Sequence, residues 1–567
     1  MVKNTRGRRA SASTAAQLRT LERIKGDFGG EASARKRELV ERLARARLDG
    51  SAQVLRLHEA LIFLRAYPDD VDLMRAVESA LRRFAERPDL EAARAALADS
   101  GIAGTDIRYR FYWPTALWLA THWPHLLHID WTDFDHRDWV TQLLPVLMPY
   151  TETLAFDEVE REPEEWIDAL KARSETDAAF LVRRVAKLEA SSLGREALYD
   201  TLDVPLCLRP GPDTPARTSA RFAAAPFAYQ TRALDRVRPD LRREVPVPPR
   251  ALRKLPPPEG QRLIDLTRGA MVTRSRDLDA FCHADPRDVR IADCGDGLCF
   301  ALMGIVPERR LMLESCYGVL TIKNGVPIGY VLISALFGSA AIAYNVFDTF
   351  RGGEAAKVFG RALALTHAVF GADAFSIDPY QLGDGNDEGL HSGAWWFYQK
   401  LGFQPADPGI RKLMQRELAR MRVRPSHRSS LPTMRALVGG YMFFHLGVPR
   451  RDVVGRVDLG RIGTRASEVL SKRFGADRET AIRTCTQEAM RLLGVRSSRG
   501  WTAGERLWFE RWSPLLLAVP GIDTWSAAER RAAVAVVRAK GGRPESAFVR
   551  LLDGHAKLRA GLLSLTR

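Results

Sequence analysis

Apolar residues recur at helical spacing through the first hundred positions. Leu18, Leu21 and Ile24 form one set, Leu39, Leu43 and Leu48 a second after a Gly29-Gly30 break, and Leu55, Leu57, Leu61 and Leu64 a third, followed by Val77, Leu81 and Phe84. Charged residues fill the intervals, which predicts amphipathic helices packed through one face. The same period returns at 166–193. Beyond Gln415 it predicts helices throughout, at 434–446, 466–474, 479–493, 505–519 and 527–540, cut by Gly475, Gly494, Pro520-Gly521 and Gly541-Gly542. Between Tyr317 and Pro405 the pattern changes. Residues 316–323 and 326–335 are apolar runs of strand length around Asn324-Gly325, a dipeptide that accepts the positive φ of a type I′ hairpin turn. A third run at 340–347 leads through Phe350-Arg351-Gly352-Gly353 into an Ala-rich helical segment at 354–370. A strand at 372–378 and a short helix from Ala394 to Gly402-Phe403 follow. No charged residue lies between Gly325 and Phe347, a stretch long enough to cross a bilayer. Pro327, Gly329, Gly338-Ser339 and Asn345 break it into strand-length pieces, so the expectation is a buried hairpin and no transmembrane segment.

Composition adds a division of the chain. A length of 567 residues predicts three or four domains. They are drawn as a basic helical region at 1–105, an aromatic-rich, mostly helical region at 106–245, a Pro-rich linker at 246–260, a central α/β domain at 261–415 and a helical domain at 416–567. A net charge of +16 favours anionic partners such as nucleic acid, acidic headgroups or a phosphate-bearing cofactor, although arginine-rich composition alone accounts for it. Six cysteines without a CxxC pair argue against a disulfide framework or zinc knuckle and suit a reducing cytoplasm. The first nineteen residues lack the apolar core of a secretory signal, and Arg8-Arg9 makes a poor twin-arginine signal. His122, His125, His128 and His136 stand near Asp130, Asp133, Asp135 and Asp138 among tryptophans. These are metal-ligand types, but their steps rotate around a helix and Pro124 interrupts it, so a packed aromatic core without metal is expected.

A strand entering a glycine turn at a helix N-terminus is a generic anion cradle, because unpaired N–H groups and the helix dipole both favour a phosphate. The order of elements here, with Ala394, Tyr398, Gly402 and Phe403 in an Ala-x-x-x-Tyr-x-x-x-Gly-Phe pattern, resembles the GNAT-type N-acyltransferases. The resemblance covers about a quarter of the chain, the central domain, with its signals between 317 and 405. It implies a mixed, mostly antiparallel sheet with helices, flanked here by helical N- and C-terminal regions, and transfer of an acyl group, acetyl above all, from acyl-coenzyme A to an amine. Tyr398 would then be the general acid for the departing thiolate. The backbone of Tyr344, Val346 and Phe347 would hold the pantetheine arm. Arg351, Gly352, Gly353, Ala355 and Ala356 would hold the phosphates. Two positions depart from the family. Glu354 stands where the phosphate loop has its central glycine, and His391 replaces an asparagine. A carboxylate in the first helical turn is itself favoured by the dipole. Pointing inward it fills the phosphate site; pointing outward it leaves Gly352 and Gly353 free.

The polar, glycine-rich loop at 378–392 lies on the side where such an enzyme admits its acceptor. Asp378, Tyr380, Gln381 and Asn386 are candidates to grip a small-molecule or peptide amine, with Glu388 or His391 as base. A solvated turn with Ser392 capping the next helix explains part of the loop equally well. The earliest strand is open among 290–292, 298–305 and 310–314. Two alternatives to the acyl-coenzyme A reading stand: an aminoacyl-tRNA donor, which the positive charge suits, and a catalytically silent domain that binds partners, with homo-oligomerisation open.

Overall fold

The computed structural model describes residues 5–566; the Arg8-Arg9 pair lies outside the described side chains. The chain divides into two compact units, Met1–Ala233 with Arg262–His283 and Ile322–Pro327, and Leu234–Gln261 with Ala284–Thr321 and Ile328–Arg567.

In the first unit the expected amphipathic helices form at Thr5–Ile24, Gly30–Arg45, Gly50–Ala66 and Val71–Arg82. Asp70 starts the last of these by accepting from the Asp72 and Leu73 amides at 3.0 and 2.8 Å, the usual reason an acid sits at that position. Leu39, Leu43, Leu61, Val77 and Leu81 are buried between them. A small antiparallel sheet follows, β1 (Ile107–Tyr109), β2 (Leu127–Ile129) and β3 (Leu206–Leu208), in the order β1-β3-β2. The tryptophan-rich stretch is packed core in part: Trp113 and Trp118 are buried and Trp123 and Trp131 pack against them, whereas Trp139 is exposed. Among the described residues no three His, Cys, Asp or Glu side chains converge as metal ligands. His122 bonds the Trp118 carbonyl and His125 the Ser174 carbonyl.

The second unit is built on a nine-stranded mixed sheet: β4 (Ala251–Lys254), β5 (Ala284–Gly295), β6 (Leu298–Ile305), β7 (Ser315–Lys323), β8 (Val326–Leu336), β9 (Ser339–Val346), β10 (Ala374–Ile377), β11 (Gln404–Pro405) and β12 (Met442–His445). Its order is β11-β12-β10-β9-β8-β7-β6-β5-β4. Asn324 and Gly325 turn with φ of 50° and 83°, and Phe337 and Gly338 with 53° and 66°, so the uncharged stretch is a hairpin. No helix among the described residues is long and apolar enough to cross a membrane. The Pro-rich stretch at 246–260 holds β4 and the start of the helix Pro257–Val272.

Two expectations are corrected. Residues 310–314 are not a strand, because the turn Pro307–Arg309 leads directly to β7. The helix expected at 434–446 ends at Val438, where Gly439-Gly440 withdraws helical preference. The aromatic run that follows becomes β12, hydrogen-bonded between β10 and β11, and the region after Gln415 is therefore not wholly helical.

Helices at Ala503–Ala518 and Ala527–Gly541 each open with a capping box, Thr502 with Glu505 and Ser526 with Glu529. Beyond the second, Lys540 and Glu545 pair at 2.5 Å with both side chains fully buried. The Lys540 ammonium also donates to the Glu314 carbonyl at 2.8 Å, and Arg310 bonds the Ile305 and Gly542 carbonyls at 2.9 and 2.8 Å. Burial pulls the Lys540 ammonium down and pushes the Glu545 carboxyl up; Lys540 needs Glu545 to stay charged, and Glu545 is held by both Lys540 and Arg310, the latter at 3.5 Å. Glu545→Ala should therefore cost about 3–5 kcal/mol in urea unfolding, whereas Lys540→Met with Glu545→Leu should cost less than the single change.

Burial also raises the Asp553 carboxyl to about 6, despite Arg559 at 3.3 Å. A carboxyl whose folded pKa lies above its unfolded one stabilises while protonated and loses that contribution as pH rises through the folded value. Asp553→Asn should gain on the natural protein by about 2 kcal/mol between pH ~4 and ~8, read as the difference in unfolding free energy at the two ends.

Candidate functional site

β9 pairs with β8 along its whole length, Ser339↔Leu336 to Val346↔Gly329. With its parallel neighbour β10 it pairs only through Ser339, Ala340 and Ala341. β10 then stops, because Asp378 caps a short helix through the Tyr380 amide at 2.8 Å and Pro379 has no N–H to extend a ladder. The stretch from Ile342 to Val346 thus has an edge without a strand partner among the described residues. Ala343, Tyr344, Asn345 and Val346 are partly exposed there, and the buried Asn345 Oδ1 has no hydrogen-bond partner.

The chain leaving β9 turns at Asp348–Phe350 and enters the helix Ala355–Phe370, whose first turn receives no side-chain cap. Tyr344 donates its hydroxyl to the Ala355 carbonyl at 3.0 Å, tying the β9 edge to that turn. A Cβ added at Gly352 would meet nothing within 4 Å, so the loop is open to a ligand there. Other groups are already committed. The Gly353 amide donates to the Phe350 carbonyl, and Phe347 uses its amide on Ile328 and its carbonyl on Phe350. Ala355 and Ala356 begin the helix, and the Val346 carbonyl accepts from Arg351 at 3.4 Å. The Arg351 guanidinium pairs with Asp348 at 2.8 Å and with Glu388. Glu354 is buried, its carboxylate accepting from the Asp235 amide at 3.3 Å and facing Lys357 at 3.6 Å. It is an internal anion at the helix N-terminus, with its own cation beside it.

Tyr398, on the helix Ala394–Lys400, is buried against the rings of Phe359 and Phe403 at 5.4 and 5.8 Å between centroids. Phe397 brings that helix to Tyr344, 6.5 Å between centroids. The Tyr398 hydroxyl bonds to no protein group among the described residues, and burial raises its pKa, so it carries its proton at neutral pH.

In the 378–392 loop most polar groups support local structure. Asn386 caps the helix Asp387–Ser392 through the Gly389 amide at 3.2 Å and bonds the Tyr380 carbonyl at 3.0 Å. Tyr380 is exposed and Gln381 half-buried. Glu388 is taken by Arg351. His391 is exposed and lines a cavity with Trp396 and Lys400.

Further polar groups lie on the sheet face opposite the Ala355–Phe370 helix. Ser334, Ala341 and Ser376 are in register across β8, β9 and β10, and strand alternation puts them on the face away from Tyr344. Glu314 accepts from Ser334 at 2.8 Å, and the buried Ser376 hydroxyl has no partner among the described residues. Burial and a bond to Asp378 raise the Tyr441 phenol, with Glu314 adding to the effect. Glu314 and Tyr441 escaped the reading of the sequence, since neither stands in a motif and Tyr441 lay inside a supposed helix.

No family model matches the chain, and no curated protein or solved structure does either.

Because the Tyr398 hydroxyl makes no protein hydrogen bond, Tyr398→Phe should change unfolding free energy by less than about 1 kcal/mol. Phe359→Ala, which empties the cluster, should cost about 3–5 kcal/mol in the same denaturant titration.

Proposed function

We propose that the second unit is an N-acyltransferase that takes its acyl group from acyl-coenzyme A and delivers it to an amine. The observation that carries this reading is the parting of β9 from β10 beside an uncapped helix N-terminus. An unpaired strand edge offers amide and carbonyl groups to an extended ligand arm, and the helix start offers N–H groups to phosphate. Tyr344 and Val346 supply the edge; the Phe347 main chain, already bonded, does not. Gly352, Ala355 and Ala356 line the helix entrance, with Arg351 as the cation.

The donor supplies an activated thioester carbonyl. In this reading the acceptor nitrogen approaches from the face that carries Glu314, Ser334 and Ser376 and forms the new C–N bond as the C–S bond breaks. Tyr398, kept protonated by burial, gives its proton to the leaving sulfur. Glu314, positioned by Ser334, takes the proton lost by the amine. Asp378 and Tyr441 border the same face and favour a cationic acceptor.

A second reading, a silent domain that binds partners, draws support from two contacts. Glu354 already brings a negative charge to the phosphate position, and Glu388 already holds Arg351. Calorimetric titration with acetyl-coenzyme A separates the two readings. Under the acyltransferase reading the natural protein binds and Glu388→Ala, which removes one of the two carboxylates on Arg351, binds about two- to fourfold tighter; Arg351→Ala binds more weakly. Failure of the natural protein, Glu388→Ala and Glu354→Gly alike to bind would overturn it. In a turnover assay Tyr398→Phe should lower kcat about 10²-fold or more with KM little changed.

A further inference from the structure

A cavity of about 670 Å³ opens on the side of the Ala394–Lys400 helix away from Tyr398. Trp396 and Lys400, four residues apart, share that face. Trp396, Met421 and Met434 give the cavity an apolar lining, and His391, Lys400 and Arg428 are basic groups along it. Lys400 and Arg428 are exposed at the cavity rim, and partial burial of Lys400, with Arg238 and Arg428 nearby, lowers its affinity for its proton. Like charges gathered beside an apolar surface cost free energy unless an anion joins them. No carboxylate lines the cavity among the described residues. Glu417 is fully buried and already serves Arg420, His427 and Ser429 at 2.7, 2.9 and 2.7 Å. The Trp396 Nε1–H, also buried, has no acceptor among the described residues.

We infer that this cavity binds a small anionic amphiphile, an apolar chain or ring bearing one carboxylate or phosphate group. The head sits between Lys400 and Arg428, and the body lies on Trp396, Met421 and Met434. The volume is that of a small-molecule site, and two methionines with a tryptophan make an adaptable apolar wall. The inference does not rest on the acyl-transfer reading, because these side chains face away from Tyr398.

Isothermal titration of the full chain with dodecanoate, dodecyl phosphate and dodecyltrimethylammonium, each below its micelle concentration, tests it. At least one anion should bind saturably at one site and the cation of equal chain length should not. The stronger of the two anions identifies the head group. Lys400→Glu should weaken the anion about tenfold or more, and Lys400→Arg should retain it. Met434→Trp, which fills the cavity, should abolish binding, while Tyr398→Phe should leave it unchanged. Equal binding of anion and cation, no binding of either anion, or indifference to Lys400→Glu in a protein with unaltered thermal unfolding would overturn the inference.

Discussion

The second unit depends on where the β9–β10 ladder stops. Three residues of parallel pairing hold the two strands together, and the Asp378-Pro379 step then takes β10 out of the sheet. Had β10 run on, the edge of Ile342–Val346 would be an ordinary sheet interior with every backbone group satisfied. Because it does not, a strand edge lies without a strand partner among the described residues, partly exposed, and its amide and carbonyl groups need solvent or a ligand to satisfy them. The Tyr344 hydroxyl, the helix at Ala355 and the aromatic cluster around Phe359 and Tyr398 are all arranged around that opening.

Electrostatics at the mouth of the opening are finely divided. The helix N-terminus attracts negative charge, and Glu354 supplies some from within the fold, accompanied by Lys357. Arg351 is drawn away to Asp348 and Glu388, so the loop next to Gly352 presents space more than it presents a free cation. Exposed ion pairs of this kind are weak, because solvent screens them and ordering long side chains costs entropy. The Arg351–Glu388 pair, whose side chains are 44% and 52% exposed, can be exchanged for a phosphate contact at small cost. Glu354, held in a buried setting, is less easily displaced.

The first hairpin was legible in the sequence because Asn324-Gly325 is chemically explicit as a positive-φ turn; the second was marked only by the Gly338-Ser339 break, and that its turn falls at Phe337-Gly338 is known from the structure. The helix at Ala355–Phe370 and the short helix carrying Tyr398 were legible from periodicity and glycine stops. β12 was not. Its pairing with β10 joins residues that are far apart in sequence, and local pattern cannot distinguish a short buried strand from the end of a helix. The segment at 378–392, read as one polar loop with Ser392 capping the next helix, instead carries the short helices Pro379–Leu382 and Asp387–Ser392, with Gly393 at the start of the next one; sequence could not show that Asp378 and Asn386 serve as caps. Nor could it show that Glu388 meets Arg351, since both facts depend on the fold. Glu314 and Ser334 meet for the same reason.

Hydrogen–deuterium exchange of the full chain with and without acetyl-coenzyme A is the most direct measurement of the central claim. In the proposed complex the ligand arm lies on the open β9 edge and the phosphates at the helix start. Protection should therefore rise in Ile342–Val346 and in the first turn of Ala355–Phe370, with little change in the β5–β6 hairpin. Unchanged exchange in both segments at saturating ligand would contradict it.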